Sequence, residues 1–389
     1  MSQPLSSPAA RVHSGSLGEP QIDRLRGLFA LCVAMGHTYD LARVQTTPDF
    51  STDVVGAARN FLGFSWVVGF IVLSGYCIAR STANPSQPFS VRRYVRLRVS
   101  RIFPLLAVAA CITAIFEYLM MGSTHRPPLW PDGLTPVTFL GAMMGLSGFV
   151  GQFGSLAPSY TISYELFFYG VWGLLLVLLR SQNLAWWIGL GLAGIAYLAG
   201  TYSEALFGDK AGTVSTLVTV LMPWLFMLLL IWLMGAGLFF QETRFRRWLR
   251  GVPPLFPWLA WLVFSIIGAG NGGHPLFAQS RGMALWFYLG LAALFCIAIA
   301  ASLAAEHSSN PPWLDRWLGE ISYPIFLIHG PVIVFAGYLL HRYHVNLPFF
   351  AYFGTCLAAS LLAAILLVLG IERPIMRWRR RFRAKKLPA

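Results

Sequence analysis

The sequence predicts an all-α integral membrane protein with about ten transmembrane helices and both termini in the cytoplasm. Of its 389 residues, 56% are hydrophobic and 11% are charged, whereas soluble domains carry about 25% charged residues. Ten apolar stretches approach the roughly 20 residues that cross a bilayer as a helix. Basic residues concentrate in alternate connecting segments. This composition leaves little room for a separate soluble domain.

The predicted organisation is one membrane domain, residues 21–375, between two tails. Residues 1–20 are rich in Ser, Pro and Gly, so we expect a disordered cytoplasmic tail that cannot bury enough apolar surface to fold. Residues 376–389 form a basic cytoplasmic tail. The predicted spans are 22–41, 61–79, 102–121, 160–179, 185–203, 215–240, 254–270, 283–303, 321–340 and 349–370.

The distribution of arginine and lysine predicts the orientation. With the N-terminus inside, the six basic residues assigned to outer segments are Arg43, Arg59, Arg126, Lys210, Arg281 and Arg342. The remainder of the 29 Lys and Arg fall in segments assigned to the inside. Cytoplasmic loops carry such an excess. The net charge of +14 is therefore explained by insertion and by contact with membrane lipids, and nucleic acid is not needed as a partner.

One apolar stretch does not fit the pattern of spans. Residues 137–150 are only about fourteen long and contain several glycines. This length suits a short re-entrant or interfacial segment better than a span. If the segment crossed the membrane, every later loop would invert and the bias in positive charge would collapse. We therefore place it on the outer side.

Metal, disulfide and nucleotide chemistry have no support in the sequence. The five cysteines all lie in apolar runs without a CxxC pair, so we interpret them as small buried hydrophobic residues. Walker, HExxH, EF-hand and GxSxG motifs are absent from the sequence. We predict neither a metal site nor a permanently bound cofactor.

The first predicted helix carries two polar residues in an apolar context. Arg26 and His37 are eleven residues apart, which is about three turns and about 16 Å along one face. Ionisable groups inside membrane helices are costly and usually functional. A lone histidine can also be a hydrogen-bonded core residue, and that alternative stays open. As a functional residue, His37 is a candidate general base for a hydroxyl group.

Glu165 is the second candidate catalytic residue. It lies near the outer end of the fourth predicted span, at a depth broadly similar to that of His37. A carboxylate beside an imidazole would orient the ring and stabilise its protonated form. The alternative is a carboxylate near the headgroups that pairs with any nearby cation, an interpretation that suits Glu117 better.

The loop before the third span contains six arginines between Arg80 and Arg101. Arg98 and Arg101 are three residues apart and share a helical face. Because guanidinium groups bind phosphate in bidentate fashion, the loop is a candidate site for a phosphate-rich cytoplasmic ligand. Most such loops only set topology and bind lipid, and without other information that alternative is favoured. Polar residues in other spans are candidate positions on a substrate path: Ser74, Ser163, Tyr323 and His329.

Six short motifs stand in order along the chain: IDRLRGLFALCVAMGH, FIVLSGYCIAR, RVSRIFP, SYTISYELFFY, ISYPIFLIHGPV and IERP. Taken together they resemble the membrane acyltransferase 3 family of bacterial O-acyltransferases. The resemblance covers about residues 20 to 375, with the motifs in family order. It implies that the family's essential Arg-His pair falls on Arg26 and His37. Its Arg-x-x-Arg motif falls on Arg98 and Arg101, and its acidic residue on Glu165.

From the residues and the resemblance we expect an O-acyltransferase, and specifically an O-acetyltransferase, of the bacterial inner membrane. Acetyl-CoA or another acyl-CoA would be the co-substrate on the cytoplasmic side, held by Arg26, Arg98 and Arg101. A glycan or glycolipid hydroxyl would be the acceptor. A homodimer is one candidate oligomeric state. The alternative function is a transporter of glycan or lipid intermediates that uses the same polar path.

Overall fold

The computed structural model describes residues 19–46, 64–83, 89–124, 133–201, 222–269, 281–305 and 313–384. Within these ranges every regular element is helical, which confirms the predicted all-α class. Most of the predicted N-terminal tail, residues 1–20, lies outside the described residues. Of the predicted basic tail, residues 376–384 are helical.

Fourteen α-helices follow one another through the described residues. They are α1 (Glu19–Gln45), α2 (Phe64–Thr82), α3 (Val91–Met120), α4 (Pro136–Met143), α5 (Ser147–Val150), α6 (Tyr160–Leu179), α7 (Gln182–Thr201), α8 (Met222–Phe240), α9 (Glu242–Trp248), α10 (Leu255–Ala269), α11 (Arg281–Ala305), α12 (Trp313–Arg342), α13 (Phe349–Leu367) and α14 (Arg373–Ala384). A 3-10 helix at Gly154–Ser159 precedes α6, and a π-helical turn at Val368–Glu372 joins α13 to α14.

Eight helices in the described part of the chain are long and apolar enough to cross a membrane. The sequence predicted ten spans, and a helix occupies each of the ten positions. The two further helices are α1, whose charged residues include Asp23, Arg24, Arg26 and Arg43, and α10, which is apolar but only 15 residues long. The multi-pass membrane class is therefore confirmed, and the number ten stays a prediction.

The segment 137–150 forms two short helices, α4 with 8 residues and α5 with 4 residues. At 1.5 Å per residue neither could cross a bilayer. The side chain of Thr135 caps α4, and the chain reverses at Gly145 and Gly151, both with positive φ. Glu117 of α3 is buried and accepts the backbone N–H of Ser155 at 2.8 Å. The carboxylate thus holds the 3-10 helix that follows this segment against α3.

Two helix pairs position the polar residues. The pair α1 and α12 has the most extensive contact among the described elements, and α2 packs closely on α8. A Cβ atom added at Gly75 of α2 would lie 1.9 Å from the carbonyl oxygen of Trp232. A Cβ atom added at Gly235 of α8 would lie 1.9 Å from the carbonyl oxygen of Val72. Small residues of this kind let membrane helices approach closely.

Candidate functional site

Five helix ends gather around an arginine-rich vestibule of about 860 Å³. The ends are the starts of α1, α3, α12 and α14 and the end of α2. The charged lining residues that the structure describes are seven arginines and three carboxylates: Arg26, Arg80, Arg98, Arg101, Arg316, Arg373, Arg377, Asp23, Glu320 and Glu372. Its excess of positive charge fits a polyanionic ligand.

A smaller inner cavity of about 100 Å³ lies deeper among α1, α2, α3, α6 and α12. Arg26, Cys77, Arg98 and Arg101 line both spaces, so the vestibule and the inner cavity adjoin. The polar groups of the inner cavity include Ser74, Glu165, Tyr169 and Tyr323. A ligand whose anionic part lies in the vestibule could therefore extend a narrower part into the membrane domain.

A directed chain of hydrogen bonds ends at Glu165. The indole N–H of Trp232 donates to Ser74 Oγ at 3.2 Å, and Ser74 Oγ lies 3.1 Å from the Tyr169 hydroxyl. Tyr169 in turn donates to Glu165 Oε2 at 3.3 Å. An indole N–H can only donate, so the chain runs from Trp232 toward the carboxylate. Arg26 and Arg101 are the charged neighbours of Glu165 across the cavity.

Arg98 stands at the junction of the two spaces. Its guanidinium lies 5.3 Å from the ring centre of Tyr94 and 5.7 Å from that of Tyr169, and it donates to the Ser81 hydroxyl. Tyr94 is held in turn by its hydroxyl, which donates to the carbonyl of Tyr169 at 2.9 Å. Cation–π contacts of this kind orient a planar cation. The Arg98 side chain is therefore placed by three neighbours before any ligand arrives.

The predicted base His37 has a second histidine beside it. The rings of His37 and His329 lie 5.4 Å apart between centroids, with 13° between their planes. His329 is fully buried, and its Nδ1 lies 2.9 Å from the carbonyl oxygen of Ile325. Its ring is also 6.2 Å from that of Phe326, which lines the inner cavity. Phe326 therefore neighbours both His329 and the inner cavity.

The predicted site residues lie in two groups, and Ser163 belongs to neither. Arg26, Arg98, Arg101, Ser74, Glu165 and Tyr323 line the inner cavity, and His37 and His329 form the stacked pair. The hydroxyl of Ser163 instead accepts the backbone N–H of Gly148 at 2.9 Å and so holds the short-helix segment. The predicted action of Glu165 on His37 stays a prediction.

Sequence reasoning missed several residues of the site. Tyr169 and Trp232 were not singled out, although Tyr169 follows Glu165 by four residues and so shares its helical face. The sequence indicates only a topological role for Arg373 and Arg377, the vestibule arginines at the start of α14. Their distance in sequence from Arg98 gave no indication that they would line the same space.

The architecture and the site define a multi-pass membrane protein with a polar cavity that connects to a cationic vestibule. The family model described as Acyltransferase domain matches residues 19–369. The chain therefore belongs to the acyltransferase 3 family, as the motifs predicted.

The similarity to a named relative is weaker. The chain is 28% identical over 300 residues to a protein of Komagataeibacter xylinus named "Putative membrane-bound transacylase BcsY". The alignment covers 72% of this chain and 68% of the relative. No solved structure matches the chain.

Proposed function

We propose that the protein is an O-acyltransferase that moves an acetyl group from acetyl-CoA to a hydroxyl of a cell-surface or exported glycan, in a bacterial inner membrane. The observation that carries the proposal is the adjoining pair of spaces. The cationic vestibule suits the phosphates of a CoA thioester, and the narrow inner cavity suits its arm. The membership of an acyltransferase family supports the reaction class.

In this reaction the acceptor oxygen attacks the carbonyl carbon of the thioester. A C–O bond forms, the C–S bond breaks, and the proton of the hydroxyl passes to His37. From there the proton goes to the departing thiolate, which leaves as free CoA thiol. General base catalysis of this kind contributes roughly 10²- to 10⁴-fold to a rate.

The arginines would divide the work of holding the donor. Arg98 and Arg101 bind its phosphates with the bidentate geometry that guanidinium groups offer, and Arg26 steers the thioester past the junction. Because Glu165 lines the same cavity as Arg26 and Arg101 and is held by Tyr169, it balances part of their charge in the empty site. In the loaded site it balances the positive charge that develops on His37.

Purified protein in detergent, incubated with labelled acetyl-CoA, tests this function. We expect saturable binding, slow hydrolysis of the thioester and transfer to an added glycan acceptor. His37→Ala should lower transfer to a small residual rate, roughly 10²- to 10⁴-fold below the wild type, while donor binding remains nearly intact. An acyl group carried covalently by His37 would instead trap label on the protein when no acceptor is present.

The same assay separates the enzyme from the alternative of a transporter. A transporter of glycan or lipid intermediates should neither bind acetyl-CoA nor hydrolyse it. Near-normal transfer by His37→Ala would exclude the proposed base. The acceptor is identified by comparing surface glycans of a deletion strain with those of the wild type by mass spectrometry and NMR.

A further inference from the structure

The pair of helices α1 and α12 is held in a fixed register by contacts near one end. Arg24 of α1 donates to both carboxylate oxygens of Asp315 of α12, at 2.7 Å and 2.6 Å, and Asp315 is buried. Close to this ion pair, an added Cβ at Gly27 would lie 2.5 Å from Leu318 Cβ. At Gly319 it would lie 2.6 Å from Asp23 Cβ. At Gly27 and Gly319, therefore, the backbone of one helix packs directly against a residue of the other.

This register determines where the two histidines meet. His37 is 13 residues beyond Arg24, and His329 is 14 residues beyond Asp315, so both lie about 20 Å from the ion pair at 1.5 Å per residue. The two helices run in the same direction. Because His37 and His329 are nearly the same distance along their helices from the ion pair, their rings lie side by side. The observed ring contact at 5.4 Å follows from that match.

The environment of His329 defines its tautomer. A carbonyl oxygen only accepts, so Nδ1, 2.9 Å from the Ile325 oxygen, carries the hydrogen. Nε2 of the neutral ring is then an unprotonated acceptor. This atom is buried and has no hydrogen-bond partner among the residues that the structure describes. Leaving a buried polar atom unpaired costs about 1–3 kcal/mol, so a purely structural role is a poor explanation for a histidine here.

We infer that His329 is a positioning residue that acts through His37. Its ring holds the His37 ring by parallel contact, and its dipole, with the negative end at Nε2, stabilises His37 after that residue has taken the proton of the acceptor hydroxyl. The Ile325 carbonyl fixes the direction of the dipole. The role assigned to His37 rests on the proposed function, whereas the contact between the rings does not.

Two variants of the full chain separate the parts of this role. His329→Asn keeps an N–H donor near the Ile325 carbonyl but removes most of the ring, which uncovers His37. His329→Phe keeps a ring against His37 but removes Nε2. In both we expect kcat for acetyl transfer to fall roughly tenfold or more, since 1.4 kcal/mol of lost transition-state stabilisation corresponds to that factor. The KM for acetyl-CoA should stay unchanged, because the vestibule is untouched.

A second measurement does not require turnover. Diethyl pyrocarbonate modifies accessible imidazoles, and peptide mass spectrometry gives the rate at His37, with exposed His344 as the internal reference. The rate at His37 should rise several-fold in His329→Asn and remain close to wild type in His329→Phe. An unchanged rate in His329→Asn would overturn the ring contact, whether or not the protein transfers acetyl groups.

A double-mutant comparison completes the test. In a His37→Ala background, the additional change His329→Phe should cost nothing further in the residual rate, because a positioning residue has no effect without its partner. Wild-type kcat in His329→Phe, or an additive loss in the double variant, would overturn the inference. Absence of transfer by the wild-type protein would instead overturn the proposed function.

Discussion

At the scale of single residues, Glu165 is the point on which the polar chemistry of the inner cavity converges. It accepts the Tyr169 hydroxyl and faces Arg26 and Arg101. Glu165→Gln removes the negative charge, so we expect transfer to fall by on the order of 10- to 100-fold, about 1.4–2.8 kcal/mol. Steady-state transfer of labelled acetyl groups measures the loss.

Tyr169→Phe should have a smaller effect than Glu165→Gln, because it removes one hydrogen bond and leaves the charge. Tyr164→Phe on the same helix is the matched control and should behave as wild type. Equal activities of Glu165→Gln and the wild-type protein would exclude a role for this carboxylate in the reaction.

Arg98 offers a second test among the residues. Its guanidinium lies beside the rings of Tyr94 and Tyr169, and a lysine cannot reproduce that planar, forked geometry. Arg98→Lys should therefore weaken acetyl-CoA binding by roughly tenfold, about 1.4 kcal/mol. Equilibrium dialysis with labelled acetyl-CoA gives the affinity.

The control for Arg98 is Arg92→Ala, which changes an exposed arginine earlier on α3. It should bind acetyl-CoA as the wild type does. If Arg98→Ala and Arg101→Ala also bind normally, the loop before α3 has only its topological role, and the donor site must lie elsewhere.

At the scale of helices, the crossing of α2 and α8 depends on two glycines. A Cβ at Gly75 would lie 1.9 Å from the backbone oxygen of Trp232. Relieving this clash requires moving a packed helix backbone, which costs free energy of folding. We expect Gly75→Ala to reduce the yield of folded protein and lower its Tm in detergent. Thermal unfolding of a fluorescently tagged protein on a sizing column measures both quantities.

The control for Gly75→Ala is Gly191→Ala on α7, where an added Cβ meets open space. No described neighbour lies within 4 Å of an added Cβ there, and alanine is favoured over glycine in a helix by about 1 kcal/mol. This variant should equal or exceed the wild type in Tm. A Gly75→Ala protein of normal stability would show that α2 and α8 can separate without cost.

The ion pair between α1 and α12 is a further test at this scale. Asp315 is 2% exposed in its side chain while Arg24 is 43% exposed, so the pair is only partly screened by solvent. Asp315→Asn should lower stability by about 1–3 kcal/mol, less than the loss of a fully buried pair. It should also lower transfer, because the register that sets His37 against His329 begins there.

The matched control is Glu320→Gln, on the same helix. Its partner Arg373 lies 2.9 Å away, and both side chains are more than 40% exposed. Exposed pairs contribute about 0–1 kcal/mol. If Asp315→Asn and Glu320→Gln have the same Tm, the Arg24–Asp315 pair does not set the register.

At the scale of the whole molecule, orientation in the membrane is the open prediction. Single cysteines in place of Arg93 and Arg247 should be protected from a membrane-impermeant thiol reagent in intact cells, because the arginine distribution places them inside. A cysteine in place of His344 should be labelled. Labelling at residue 93 from outside would reverse the topology and move the vestibule to the outer side.

Composition, length and residue order were enough to predict the class, the helices and most of the polar residues of the site. Apolar runs of about 20 residues can only be helices in a bilayer, so the spans follow from composition and length. An ionisable residue in such a run must face protein, which singled out Arg26, His37, Glu165 and His329. Six short motifs were enough to predict the family.

Which of these residues meet could not be predicted from the sequence, because it depends on how the helices pack. Depth along a helix is a local quantity, set by a fixed rise per residue, whereas the neighbour across an interface depends on which helices pack together and in which register. Similar depth suggested Glu165 as the partner of His37. The packing of α1 on α12 puts His329 beside His37, and the meeting of α1, α3 and α6 at the inner cavity gathers Glu165 with Arg26, Arg101 and Tyr169.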